Sequence, residues 1–177
     1  TREDIANWQN LENMPLMVTA TCQFGRYDNY GEVSGAEKAI LNPNGGAIAL
    51  LTTTRPVYSI TNKRINEAFY NAVFEPINGQ FPRLGDILKA TKNNSFETVY
   101  NRNFTLLGDP SMQLAYPEQK IVLTKLNNLP LSNKGDTLKA LQKVVFEGEI
   151  QSYFTNTISS NFNGNITIKV FDKETKL

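Results

Sequence analysis

The sequence holds one cysteine, Cys22, and no histidine. Cys22 closes the apolar run Leu16-Met-Val-Thr-Ala-Thr-Cys22 and opens a polar, aromatic-bearing loop that runs to Gly31. A thiol attacks a carbonyl carbon as its thiolate. A free thiol titrates at about 8.5, so a base or cation must stand beside it for work at neutral pH. Histidine is the usual base, and this chain supplies none. With a single cysteine and no histidine a structural zinc site is excluded, and no oxygen-ligand motif supports Ca or Mg. No metal and no cofactor is expected. A lone cysteine is also an ordinary small hydrophobe, so its position in the fold decides between the two readings.

Other residues near Cys22 carry two readings each. Arg26 can receive a substrate carboxylate or be a solvated loop arginine. Arg55 follows an apolar run and can line the same rim, although Pro56 beside it suggests a fixed turn. Phe24, Tyr27 and Tyr30 interleave with polar residues and can form a substrate wall or pack on their own sheet. Together with Gln23, the residues Phe24, Arg26 and Arg55 are the candidate substrate contacts. Ser34 and Glu37 have the spacing of a helix capping box rather than of a catalytic pair. Asp109, in Gly108-Asp-Pro110, reads as an Asx-type turn rather than a cation ligand. Gly45-Gly46 precedes an apolar run instead of leading from a strand into a helix, so it is no phosphate loop.

Alternating elements must position these residues. Thr1-Arg-Glu-Asp4 has capping-box form, and Ile5, Trp8 and Leu11 follow at helical spacing, predicting a short helix over residues 2 to 10. Residues 16 to 22 read as a strand buried on both faces. A helix is expected from Ser34 to about residue 42, and the breaker Asn42-Pro-Asn-Gly-Gly46 then leads into the strand Ala47-Ile-Ala-Leu-Leu51. Helices are predicted over residues 61 to 75 and 83 to 92, a polar stretch over 92 to 103, and a strand at Phe104-Thr-Leu-Leu107. Such alternation implies an α/β domain over residues 1 to 116, its mostly parallel sheet covered by helices on both faces. The strands near 16 to 22 and 47 to 52 should be parallel neighbours. Cys22 would then stand at the carboxyl edge of the sheet, where open α/β folds build their sites, with its thiol exposed.

From Pro117 the pattern changes. Ile121 to Leu126, Leu138 to Ile150 and Asn165 to Phe171 read as strands, the last with Ile166, Ile168 and Val170 alternating against Asn165, Thr167 and Lys169. Three or four strands of antiparallel β structure over residues 117 to 177 fall short of the roughly seven of a sandwich. No helix longer than two turns is expected there. The formal net charge is +1 with no basic stripe, which argues against a nucleic-acid partner, and no apolar run is long enough to span a membrane as a helix.

The segment Met14-Pro-Leu-Met-Val-Thr-Ala-Thr-Cys-Gln-Phe-Gly25 resembles the nucleophile strand of the gingipain-like (C25) cysteine peptidases, a branch of the caspase-like clan. Ser34-Gly-Ala-Glu37, the stretch Asn42 to Arg55, and Phe104-Thr-Leu-Leu-Gly-Asp-Pro-Ser-Met112 extend the likeness, which is nearest to the PorU-type sortases of the Bacteroidetes type IX secretion system. Phe162-Asn-Gly164 and Val170-Phe-Asp-Lys-Glu174 resemble parts of the immunoglobulin-like domain that follows the peptidase domain in that family. The likeness is strongest over residues 14 to 58 and 104 to 116. It implies a caspase-like fold, a nucleophilic thiol at Cys22, and an enzyme at the cell surface, associated with the outer membrane. Such an enzyme removes C-terminal sorting domains from secreted proteins, through hydrolysis or transfer to an amine, and has outer-membrane partners in the secretion system. The family also places a histidine, usually beside a glycine, ahead of the nucleophile strand. No histidine precedes Cys22 here, and both ends look cut, so the chain is read as a fragment that is inactive alone. The alternative is a non-catalytic surface module built on a pseudo-peptidase.

Overall fold

The computed structural model describes residues 2–95, 99–131, 138–139 and 141–171. The chain divides into two compact units, Thr1–Tyr116 and Pro117–Leu177.

The first unit is built on a three-stranded sheet, β1 (Leu16–Val18), β2 (Ala49–Thr53) and β3 (Phe104–Leu107), with β2 in the centre. β1 and β2 are parallel, with Met17 opposite Leu50, as the helical connection between them requires. β2 and β3 are antiparallel, so the expectation of a mostly parallel sheet is corrected among the described residues to one pairing of each kind. The helical segment between β2 and β3 is long enough to return the chain in either direction, and the apolar pattern of Phe104–Leu107 does not encode which.

All five residues of β2 are buried, which explains its unbroken Ala-Leu-Leu-Thr-Thr run. Ala49 and Leu51 face one cluster with Ile65, Phe69, Ala72 and Val73 of α3 (Ser59–Val73) and with Leu84 and Ile87 of α4 (Leu84–Asn94). Leu50 faces the other cluster, formed by Ile5 of α1 (Arg2–Ala6), Ala36 and Ala39 of α2 (Gly35–Ile40) and Ala47. Strand alternation thus sends successive β2 side chains into two helical layers. The α3 stripe Thr61, Ile65, Ala68, Phe69, Ala72 and Val73 has the spacing of one helix face.

Some boundaries differ from the expectation. The first helix ends at Ala6 rather than at residue 10, and Thr1 of its expected capping box lies outside the described residues. The polar stretch 92 to 103 contains a one-turn helix, α5 (Val99–Arg102), too short to show a period in sequence. The strand expected over 16 to 22, and expected to be buried on both faces, ends at Val18, and its three residues are only half-buried because β1 is an edge of the described sheet. Beyond Val18 the chain still follows β2, through one more backbone bond and then through threonine hydroxyls. Thr19 N–H donates to Leu51 O at 3.0 Å, Thr19 Oγ1 donates to Thr52 Oγ1 at 2.8 Å, and Thr53 Oγ1 donates to Thr21 O. Side-chain hydrogen bonds have taken over from the backbone ladder.

The second unit holds an antiparallel sheet in the order β5 (Leu129–Pro130), β4 (Gln119–Leu126), β6 (Phe146–Ser152). Asn127 and Asn128, with φ of 51° and 65°, form the two-residue hairpin turn between Leu126 and Leu129, the geometry that Asn tolerates best after Gly. The strand expected over 138 to 150 begins only at Phe146. Asn165 to Phe171 is not a strand, despite its alternation. Its Ile166, Ile168, Val170 and Phe171 line one groove with Ile121 and Leu123 of β4 and Phe146 of β6, and the segment joins neither outer strand of the sheet. Among the described residues this unit holds one sheet, while Asp172 to Glu174 of the expected immunoglobulin-like motif lie outside the described residues. Among the described residues no helix is longer than two turns in this unit, and none in the chain is long and apolar enough to cross a membrane.

Candidate active site

Cys22 lies four residues beyond the end of β1, in the bend that carries the chain from the sheet edge toward α2, and it is exposed. Its Sγ lies 3.4 Å from Val57 O, to which a thiol can donate, and accepts from Val57 N–H at 3.5 Å. Among the described residues the Cys22 N–H has no acceptor. The next residue, Gln23, has φ of 58°. That left-handed conformation is uncommon for a residue with a side chain. It reverses the chain so that Arg26 N–H donates to Gln23 O at 3.2 Å and Gly25 N–H returns to β2, donating to Thr53 O at 2.9 Å. The thiol therefore sits on a tight excursion pinned at both feet to the carboxyl end of β2.

The four candidate contacts are distributed around that excursion. Gln23 is exposed, with the strained backbone next to the thiol. Phe24 is half-buried and packs against the α1–α2 cluster, where Gly35 leaves room for its ring; a Cβ on Gly35 would stand 2.4 Å from Phe24 Cε2. Phe24 O accepts from Ala36 N–H in the first turn of α2 at 3.1 Å. Tyr27 and Tyr30 are exposed. Arg26 is exposed, its Nε 3.8 Å from Asp28 Oδ1. Arg55 meets the same carboxylate by both ends of its fork. Nη1 donates to Asp28 Oδ1 at 3.0 Å and to its own chain at Thr54 O at 2.8 Å, while Nη2 donates to Asp28 Oδ2. The Arg55 hydrogen bond is the chief reason that the Asp28 carboxyl titrates below the usual range.

Asp28 and Val57 are the two residues at this site that sequence reasoning missed. Only the bare presence of an acid in Arg26-Tyr-Asp28 and a cation before Pro56 pointed toward a pair. The capping box at Ser34 is present in full. Glu37 N–H donates to Ser34 Oγ at 3.2 Å, and Ser34 N–H donates to Glu37 Oε2 at 2.8 Å. Asp109 closes the expected Asx turn by accepting from Ser111 N–H at 2.8 Å and from Ser111 Oγ at 2.7 Å. Among the described residues no group of three His, Cys, Asp or Glu side chains is placed to hold a metal ion.

An open groove of about 760 Å³ starts at Ala20, two residues before the thiol, and runs along α3 past Ser59, Asn62, Asn66 and Tyr70. Asn62 Oδ1 is buried there with no hydrogen-bond partner among the described residues. A buried acceptor without a donor is costly to the fold.

Comparison with known proteins bears on the first unit. The family model for peptidase family C25 matches residues 1–115. No curated protein and no solved structure matches the chain. The matched residues hold the mixed α/β sheet, both helical layers and the exposed thiol. With well over half of its length matched, the chain belongs to peptidase family C25, a family of cysteine peptidases.

Proposed function

We propose that Cys22 is the nucleophile of a cysteine peptidase of which this chain carries the thiol-bearing part. The observation that carries the reading is the placement of an exposed thiol on a strained, doubly pinned turn at the edge of a C25-type sheet. The thiolate attacks the scissile carbonyl, the backbone N–H of Cys22 donates to the developing oxyanion, and the C–N bond breaks as the leaving amine takes a proton from the base; water or an amine then attacks the thioester and releases the thiol. No histidine is present in these residues, so the base comes from outside them. The groove that starts at Ala20 takes the substrate polypeptide.

The finer reading follows the resemblance of Met14 to Gly25 and Asn42 to Arg55 to the PorU-type sortases. The substrates are then secreted proteins with C-terminal sorting domains, and the site of action is the cell surface at the outer membrane, beside secretion-system partners. Cleavage of a sorting-domain peptide by the protein as encoded, and its loss in Cys22→Ala, tests both levels. Cleavage of other peptides only would remove the sortase assignment and keep the peptidase. The absence of histidine favours one alternative, a non-catalytic surface module. An encoded protein with no base in reach of Cys22 and no cleavage of any peptide would establish it.

A further inference from the structure

We infer that Asp28 and Arg55 are positioning residues for Cys22, clamping the loop after the thiol to the turn after β2 and so keeping the Val57 peptide against Sγ. The inference rests on the reading of Cys22 as the nucleophile. The contacts form a closed ring. Six residues after Cys22, the Asp28 carboxylate takes both ends of the Arg55 fork. Arg55 is in turn fixed to its own backbone by the bond to Thr54 O at 2.8 Å, and Pro56 restricts the next φ. Val57 then closes the ring by presenting its O at 3.4 Å and its N–H at 3.5 Å to Sγ.

Exposed ion pairs ordinarily add little stability. A bidentate Arg–carboxylate pair, however, fixes direction as well as distance, and direction is what a reacting sulfur needs. Asp28 is ionised at neutral pH as any exposed aspartate is, and the Arg55 hydrogen bond lowers its carboxyl further. Arg26 stands beside the same carboxylate without bonding to it, its Nε 3.8 Å from Oδ1 and beyond hydrogen-bonding reach. Gly25 and Thr21 tie the inner part of the excursion to Thr53, and the Asp28–Arg55 pair ties its outer part to the turn that carries Val57.

The test uses the 177-residue chain and needs no catalysis. Asp28→Ala, Arg55→Ala and the exchanged pair Asp28→Arg with Arg55→Asp are compared with the parent. The readouts are the rate of Cys22 alkylation by iodoacetamide and hydrogen exchange at the Val57 amide, with thermal midpoints alongside. Each single variant should raise both rates by about threefold at a nearly unchanged midpoint, because a local contact opens while the fold stays closed. The exchanged pair should recover a clear part of both losses, since it restores the ion pair but not the bond to Thr54 O. Rates equal to the parent's in the single variants would overturn the clamp, as would an exchanged pair that behaves as the sum of the two losses. Full peptide cleavage by the encoded protein carrying Cys22→Ala would overturn the nucleophile reading, and with it any positioning role, whatever the alkylation rates show.

Discussion

Gly25 lies so close to Thr52 that a Cβ there would stand 2.2 Å from Thr52 Cγ2 and 2.9 Å from Thr52 Oγ1. Thr52 is wholly buried in the central strand and cannot withdraw, and the Gly25 N–H is bonded to Thr53 O. The glycine is thus needed for closeness of approach rather than for an unusual φ. Gly25→Ala should lower stability by about 1–3 kcal/mol, the ordinary cost of overpacking a closed site. Urea unfolding measures it. A midpoint equal to the parent's would mean that the loop is not pressed on β2.

Gln23 stores strain beside the thiol through its φ of 58°. A left-handed residue with a Cβ costs roughly 1–2 kcal/mol, and Gly is free of that cost but loses more freedom on folding. Gln23→Gly should therefore leave stability unchanged or raise it by up to about 1 kcal/mol. Gln23→Val, whose β-branch fits that region worst, should lower it by about 1–2 kcal/mol. Paired denaturation curves distinguish this from a relaxed, extended Gln23, for which Val would be harmless and Gly mildly destabilising.

The residues that were readable in sequence are those whose partners lie close along the chain. Ser34 with Glu37 and Asp109 with Ser111 each complete their hydrogen bonds within three residues, so spacing alone encodes them. The apolar runs placed β1, β2 and β3 and the two long helices for a similar reason, since burial on both faces leaves no polar alternation in Ala49–Thr53. What escaped was set by distant partners. The end of β1 at Val18 depends on the hydroxyls of Thr52 and Thr53, more than thirty residues away, and the Asp28–Arg55 pair spans a similar interval. Asn165–Phe171 shows the converse: its alternation is that of a strand, yet alternation reports one apolar face, and that face lines a groove with β4 and β6 side chains without a backbone ladder.

Acid should weaken the first unit through two exposed carboxylates. Hydrogen bonds from Arg55 to Asp28 and from Ser111 to Asp109 hold both below their ordinary range. A carboxyl whose folded pKa is depressed contributes stability that is complete above the unfolded value, about 3.9, and disappears as pH falls through the folded value. Asp109→Asn and Asp28→Asn should each be less stable than the parent at pH 6, and the difference should close as pH drops below about 4. Both groups are solvent-screened, so the effects are small and shrink in added salt. Urea midpoints against pH measure them. A difference that persists unchanged in acid would trace to packing rather than charge.

Ser34 separates capping from chemistry. Its side chain is nearly buried, its Oγ accepts the Glu37 N–H, and the helix that it starts presents Ala36 N–H to Phe24 O, two residues after Cys22. Ser34→Ala should cost about 1 kcal/mol, with a ceiling near 2, because a six-residue helix has little else to define its first turn. Ser34→Asp supplies the same acceptor without a hydroxyl and should keep most of the stability. If Ser34 only caps, the Asp variant of the encoded protein should also keep its peptide cleavage. Parent-like stability with cleavage lost would instead give the Ser34 hydroxyl a part in the reaction.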